Sequence, residues 1–201
     1  MESPPPPSDR VGETVGGRYV LRRLIGVGGI IGIGAYLLWL SLDRRGDWRL
    51  QGERIMHRGL IEFINRQYAC DTSGCWFLQN GPQRVFVDLA YTPWVFHREG
   101  EGFVSHSGRP AGALQLIHLD DHGCILLEAE LGIGLLDDRD LAGFLARCDG
   151  EGGGPVSDDA LLALMGGKSA AVSWQGIAIK PIAAVDVPQR YNFQPIPRPA
   201  I

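Results

Sequence analysis

Lysine is almost missing from this 201-residue chain: Lys168 and Lys180 are the only two. The remaining positive charge is arginine, and it is unevenly spread. Residues 1–49 carry a net charge of +2 and residues 50–201 a net charge of −6. An acidic body with scattered arginines repels a phosphate backbone, so nucleic acid is excluded as the expected partner. Cysteine is also scarce, with four in the chain, too few for a disulfide-built scaffold. Internal repeats at a fixed period are absent.

The familiar chemical motifs are incomplete. Gly26-Val27-Gly28 opens a dinucleotide fingerprint, but its third glycine falls on Ile31. Gly166-Gly167-Lys168-Ser169 resembles the end of a phosphate loop, yet Leu162 stands where the first glycine is required. The run HLDDHGC gathers His118, Asp120, Asp121, His122 and Cys124, but these straddle a predicted turn and lack the separated ligand pairs that zinc prefers. No metal and no cofactor is expected. Ser105, His106 and Ser107 are neighbours in sequence, whereas a nucleophilic triad is assembled from separated residues. There is no G-x-S-x-G elbow, and His106 is expected to face solvent. No catalytic residue is identified.

What the chain does have is an apolar run, LIGVGGIIGIGAYLLWLSL, from Leu24 to Leu42. Nineteen uncharged residues in a helix rise about 28 Å, close to the roughly 30 Å of bilayer hydrocarbon. Arg22 and Arg23 bound one end, and Asp43, Arg44 and Arg45 the other. Tyr36 and Trp39 suit the headgroup level. Gly28 and Gly32 form a G-x-x-x-G pair, a surface for helix–helix packing and self-association. The spacing predicts one uncleaved transmembrane helix with basic flanks over residues 18–45. Residues 1–17, beginning ESPPPPS, predict a disordered proline-rich tail. Arginines are balanced four against four about the span. The free amino terminus then tips the orientation to N-inside, with the C-terminal domain in the periplasm.

Residues 53–201 predict one α+β domain, mainly an antiparallel sheet of hairpins with two or more helices. Gly59–Asn65 is expected as a strand. Hairpins are expected about Asn80–Gln83, Glu99–Gly102, Asp120–Gly123 and Gln175-Gly176. From Asp137 the period changes, and Leu141, Phe144, Leu145 and Cys148 fall on one helical face. Ser157 caps a second helix that ends at Gly166-Gly167. The final VPQRYNFQPIPRPAI reads as an extended tail. Cys70 and Cys75, in CDTSGC, are spaced to close a small loop as a disulfide in an oxidising compartment.

The stretch Gln79–Phe96 concentrates aromatic residues around charge. Arg84, Tyr91, Trp94 and Phe96 are the candidate ligand or partner surface. That stretch, with CWFLQNGPQRV, YTPWV and the ending VPQRYNF, resembles a family of short proteobacterial proteins of unknown function over residues 55–195. The resemblance implies a bacterial origin and a single compact domain. It implies no catalytic residue.

These readings converge on a single-pass protein of a bacterial inner membrane. Its α+β domain is expected to serve as a non-enzymatic accessory or scaffold, contacting the membrane and other membrane subunits. The alternative is a small-ligand-binding or sensory domain using Tyr91–Phe96.

Overall fold

Alternation of apolar residues from Leu40 to Leu50 sets the frame. A computed structural model describes residues 14–15, 19–20 and 40–197. Two short strands, β1 (Thr14–Val15) and β2 (Tyr19–Val20), pair antiparallel. From Leu40 onward the chain builds two sheets. The first contains β3 (Leu40–Leu42), β4 (Trp48–Leu50), β5 (Glu53–Arg54), β6 (Tyr68–Cys70), β7 (Trp76–Asn80) and β8 (Gln83–Leu89). Its order is β5-β4-β3-β8-β7-β6. Strand β3 lies inside this sheet, antiparallel to β4 and parallel to β8, with Leu40 opposite Val87 and Leu42 opposite Leu89. Leu40, Leu42, Trp48, Leu50, Val87 and Leu89 are all buried, the face expected of period-two patterning.

The second sheet contains β9 (Trp94–Glu99), β10 (Gly102–Ser105), β11 (Leu114–Asp120), β12 (Ile125–Ala129), β13 (Gly132–Leu136), β14 (Cys148–Asp149), β15 (Ser173–Trp174) and β16 (Ile177–Ile182). Its order is β10-β9-β13-β12-β11-β16-β15-β14. Two pairings, β13 with β9 and β11 with β16, are parallel and the others antiparallel. Four helices complete the described chain: α1 (Arg58–Gln67), α2 (Asp138–Leu145), α3 (Asp158–Met165) and the short α4 (Val187–Arg190). The fold is mixed α+β and mostly strand.

The four expected hairpins form with the expected turns: Asn80 pairs Gln83, Glu99 pairs Gly102, Leu119 pairs Ile125, and Trp174 pairs Ile177. Ser157 caps α3 by accepting from Ala160 N. Three expectations are corrected. Gly59–Asn65 is not a strand but lies within α1. Its buried residues, Leu60 and Ile64, are one helical turn apart, and His57 caps it by accepting from Leu60 N. Cys148 does not continue α2 but opens β14, since the helix stops at Leu145. The folded unit does not begin at residue 53: β3 and β4 are interior to the first sheet.

The last point also corrects the end of the apolar run. Leu40–Leu42 is a strand, so no membrane helix reaches Leu42. Among the described residues no helix is long and apolar enough to cross a membrane. Residues 24–39, including Gly28 and Gly32, and the proline-rich start lie outside the described residues.

One core joins the sheets. Trp48, Tyr68 and Trp76 from the first sheet meet Trp94 and His106 from the second, with ring centroids between 4.6 and 5.9 Å apart. The segment after α4 then crosses back. Tyr191 bonds to the second sheet, whereas Gln194 N donates to Gly74 O and Pro195 O accepts from Leu89 N in the first.

Candidate functional site

The four residues expected to form a binding surface do not come together. Trp94 is 3 % exposed and Phe96 0 %, so both are core residues of β9. Arg84 lies elsewhere, its guanidinium 4.5 Å from the Phe77 ring centroid and 3.9 Å from the Asp71 carboxylate. Tyr91 donates its hydroxyl to Asp120 Oδ2 at 2.6 Å beneath the Arg44 guanidinium. The stretch Tyr91–Phe96 therefore presents no aromatic face. Its rings were bright in the sequence because they pack, which is the commonest use of a large aromatic.

His106 is corrected as well. It is enclosed by Trp48, Tyr68 and Trp94 instead of facing solvent. Its Nδ1 accepts from Val95 N, and burial, then the nearby His97 and Arg109, pushes its pKa down to about 3. Cys70 and Cys75 are free thiols. The ladder pairs Cys70 with Trp76, and the next link runs from Asp71 N to Cys75 O. The two side chains thus fall on opposite faces of the hairpin. Burial raises both thiol pKa values.

The run HLDDHGC is dispersed by its turn. Among the described residues no group of three or more His, Cys, Asp or Glu is placed to hold a metal. Asp120 Oδ1 accepts from His122 N and Cys124 N, which shapes the turn. Asp121 Oδ1 accepts from Ala184 N at 2.8 Å. Cys124 Sγ accepts from Arg44 at 2.9 Å.

His118 belongs to a different arrangement. It is buried on β11, and its Nε2 lies 2.7 Å from the Tyr191 hydroxyl. That hydroxyl donates to Glu128 Oε2, also at 2.7 Å, on the neighbouring β12. With the hydroxyl proton given to Glu128, the hydroxyl oxygen can accept from His118 Nε2–H. Nδ1 has no partner among the described residues. Burial, then the Arg190 charge, holds His118 below its ordinary pKa, so it is neutral. Burial, then the bond to Glu128, pushes Tyr191 up to about 12. The chain Glu128–Tyr191–His118 is thus a fixed polar clamp.

Arg190 sits beside it, with its guanidinium carbon 5.7 Å from the Tyr191 ring centroid. It also lines an open groove of about 410 Å³ with Gly167, Pro181, Ile182, Ala183, Asp186 and Gln189. This volume falls in the range of small-molecule sites. The fold explains the position. The parallel pairing of β11 with β16 sets His118 opposite Lys180, and the turn after β16 carries Ala183–Asp186 over to α4. A second groove, of about 420 Å³, lies between α1 and the turn after β10 and is lined by Glu62, Asn65, Arg66, Ser107, Gly108 and Arg109.

Sequence reasoning missed Tyr191 and Arg190 because VPQRYNF reads as a tail, and Glu128 because it is a single acid within the apolar strand β12. The available signal was Pro188 in a first helical turn, with Val187 and Tyr191 one turn apart.

No curated protein matches the chain. Two solved structures are similar to part of it. A DUF1285 family protein from Shewanella baltica OS155 is 17% identical with a TM-score of 0.42, over 54% of this chain and 91% of that one. Another from Silicibacter pomeroyi DSS-3 is 14% identical with a TM-score of 0.44, over 60% of this chain and 72% of that one. A family model, DUF2944, described as "Protein of unknown function (DUF2946)", matches residues 33–198. That span takes in both sheets, the Glu128–Tyr191–His118 clamp and the stretches CWFLQNGPQRV, YTPWV and VPQRYNF, and the chain belongs to this family of unknown function.

Proposed function

We propose that the domain is a small-ligand-binding module whose site is the groove at Arg190. The observation that carries this reading is the clamp behind that arginine. Three side chains from β11, β12 and the α4 end are hydrogen-bonded in series beside an open groove. The Tyr191 hydroxyl is held by two partners and the Arg190 guanidinium lies beside that ring; a wall that is already ordered lowers the entropy cost of binding. The aromatic surface first expected at Tyr91–Phe96 is replaced by this site.

Ligand binding to the folded state alone raises stability by about 2.7 kcal/mol at a hundredfold excess over Kd. Thermal unfolding of the full-length chain against a panel of small carboxylates, amines and zwitterions should give a ligand-dependent rise. Arg190→Ala should abolish that rise. A rise of the same size in both proteins would place the ligand elsewhere.

A second reading, a membrane-attached accessory protein, rests on the apolar residues before β3. No linker separates Trp39 from Leu40, so an anchor there would hold the domain flush with the bilayer. With β3 removed, sixteen residues remain from Leu24 to Trp39. As a helix they rise about 24 Å, short of the roughly 30 Å of hydrocarbon, and Arg22 and Arg23 would then snorkel to the headgroups. Retention in the membrane fraction after alkaline carbonate washing supports anchoring. Release into the supernatant overturns it.

A further inference from the structure

Asp186 and Arg190 line one groove and lie four residues apart across α4. An acidic residue placed four before a basic one on a helical turn is the favourable order for an ion pair. Yet no salt bridge joins them among the described residues; the Asp186 backbone N donates to Ala183 O, but its carboxylate does not cap α4. Arg190 instead leans over the Tyr191 ring, whose hydroxyl is held by Glu128 and His118. Two opposite charges that do not pair with each other thus line one open groove, and both residues are exposed to whatever enters.

We propose that this groove takes a zwitterion: a small molecule bearing one carboxylate and one ammonium, as a free amino acid does. This rests on the ligand-binding reading above and specifies its ligand class. Arg190 would receive the carboxylate, to which a guanidinium fork is matched, and Asp186 the ammonium. The Gln189 amide, on the same wall, offers both a donor and an acceptor. A plain anion meets Arg190 but is repelled by Asp186, and a plain cation meets the reverse. A ligand with both charges leaves neither group opposed.

The test uses the full-length chain and the twenty free amino acids as probes, read by calorimetry or thermal shift. For each that binds, the matching des-amino carboxylate and decarboxylated amine are measured beside it. At least one amino acid should bind at least tenfold more tightly than both of its single-charge analogues. Asp186→Asn should erase the preference over the carboxylate, and Arg190→Gln the preference over the amine. Both positions are exposed, and circular dichroism checks that the variants fold. Equal binding of an amino acid and its des-amino analogue overturns the inference. Binding of carboxylates alone, lost in Arg190→Gln, overturns it while leaving the ligand-binding reading intact. Absence of binding by every probe overturns both.

Discussion

A histidine inside a cluster of tryptophan and tyrosine rings has no water to stabilise its charged form. His106 is in that position, and its pKa in the folded chain is about 3 against an ordinary 6.5. The unfolded chain therefore binds a proton that the folded chain refuses once the pH drops below about 6.5. Stability present at neutral pH is lost as the pH falls towards 3, by up to about 1.4 kcal/mol per pH unit for one proton. Urea unfolding at pH 7.0 and 5.0 should show this loss, and His106→Gln should reduce the slope. An unchanged slope in that variant would assign the acid sensitivity to other groups. The cysteines give a second residue-scale expectation. All four are free thiols, and burial raises the pKa of Cys70, Cys75, Cys124 and Cys148. A reducing agent should leave the melting temperature unchanged, and slow alkylation by iodoacetamide at pH 7 should accompany it. A fall of several degrees on reduction would reveal a disulfide. The aromatic identities in Gln79–Phe96 were visible in the sequence, but the direction each ring faces was not. Trp94, Val95 and Phe96 are all buried on β9, so both faces of the strand are covered there, and that depends on a sheet partner forty residues away, β13.

The C-terminal strap is an element whose role comes from what it connects. Tyr191 ties it to β11 and β12, and Phe193 is buried in the common core. Gly74, at φ +79°, lets the strap pass close, since a Cβ there would run into the Asn192 carbonyl. Removing the hydroxyl by Tyr191→Phe leaves the Glu128 carboxylate and His118 Nε2 unpartnered. Such a loss costs about 1–3 kcal/mol, which equilibrium unfolding in urea would register as a lower midpoint with an unchanged m value. A variant as stable as the parent would show that water replaces both bonds. Elements closed by local turns were legible in the sequence. Gln175-Gly176 has both residues at positive φ (48° and 80°), the requirement of the tight turn that its composition announced. Helix α1 was misread because a seven-residue window of mixed polarity fits either period, and only its length of ten settles the matter. The parallel pairs β3–β8, β9–β13 and β11–β16 were not legible at all. Their partners are chosen by packing between distant segments, and no adjacent turn encodes them. The candidate site shares this fate, since His118, Glu128 and Tyr191 are assembled from three separate elements.

At the scale of the whole molecule, the first sheet is completed by residues that composition assigned to an anchor. β3 sits between β4 and β8, so Leu40–Leu42, the last residues of the apolar run, belong to the folded unit. Two truncations separate the sequence reading from the structural one. A chain beginning at Trp39 retains β3 and β4, and should fold as the full-length chain does. A chain beginning at Glu53 loses Leu40, Leu42, Trp48 and Leu50 from the core and exposes the pairing edge of β8. Burial of each large apolar side chain contributes about 1.5–3 kcal/mol, so four of them represent about 6–12 kcal/mol. A domain of this kind has about 5–15 kcal/mol in total. The shorter chain should therefore lack a cooperative thermal transition and aggregate through the exposed β8 edge, whereas the longer one should melt in a single step. Cooperative melting of both at the same temperature would mean that β3 and β4 contribute nothing, and that the domain does begin at residue 53.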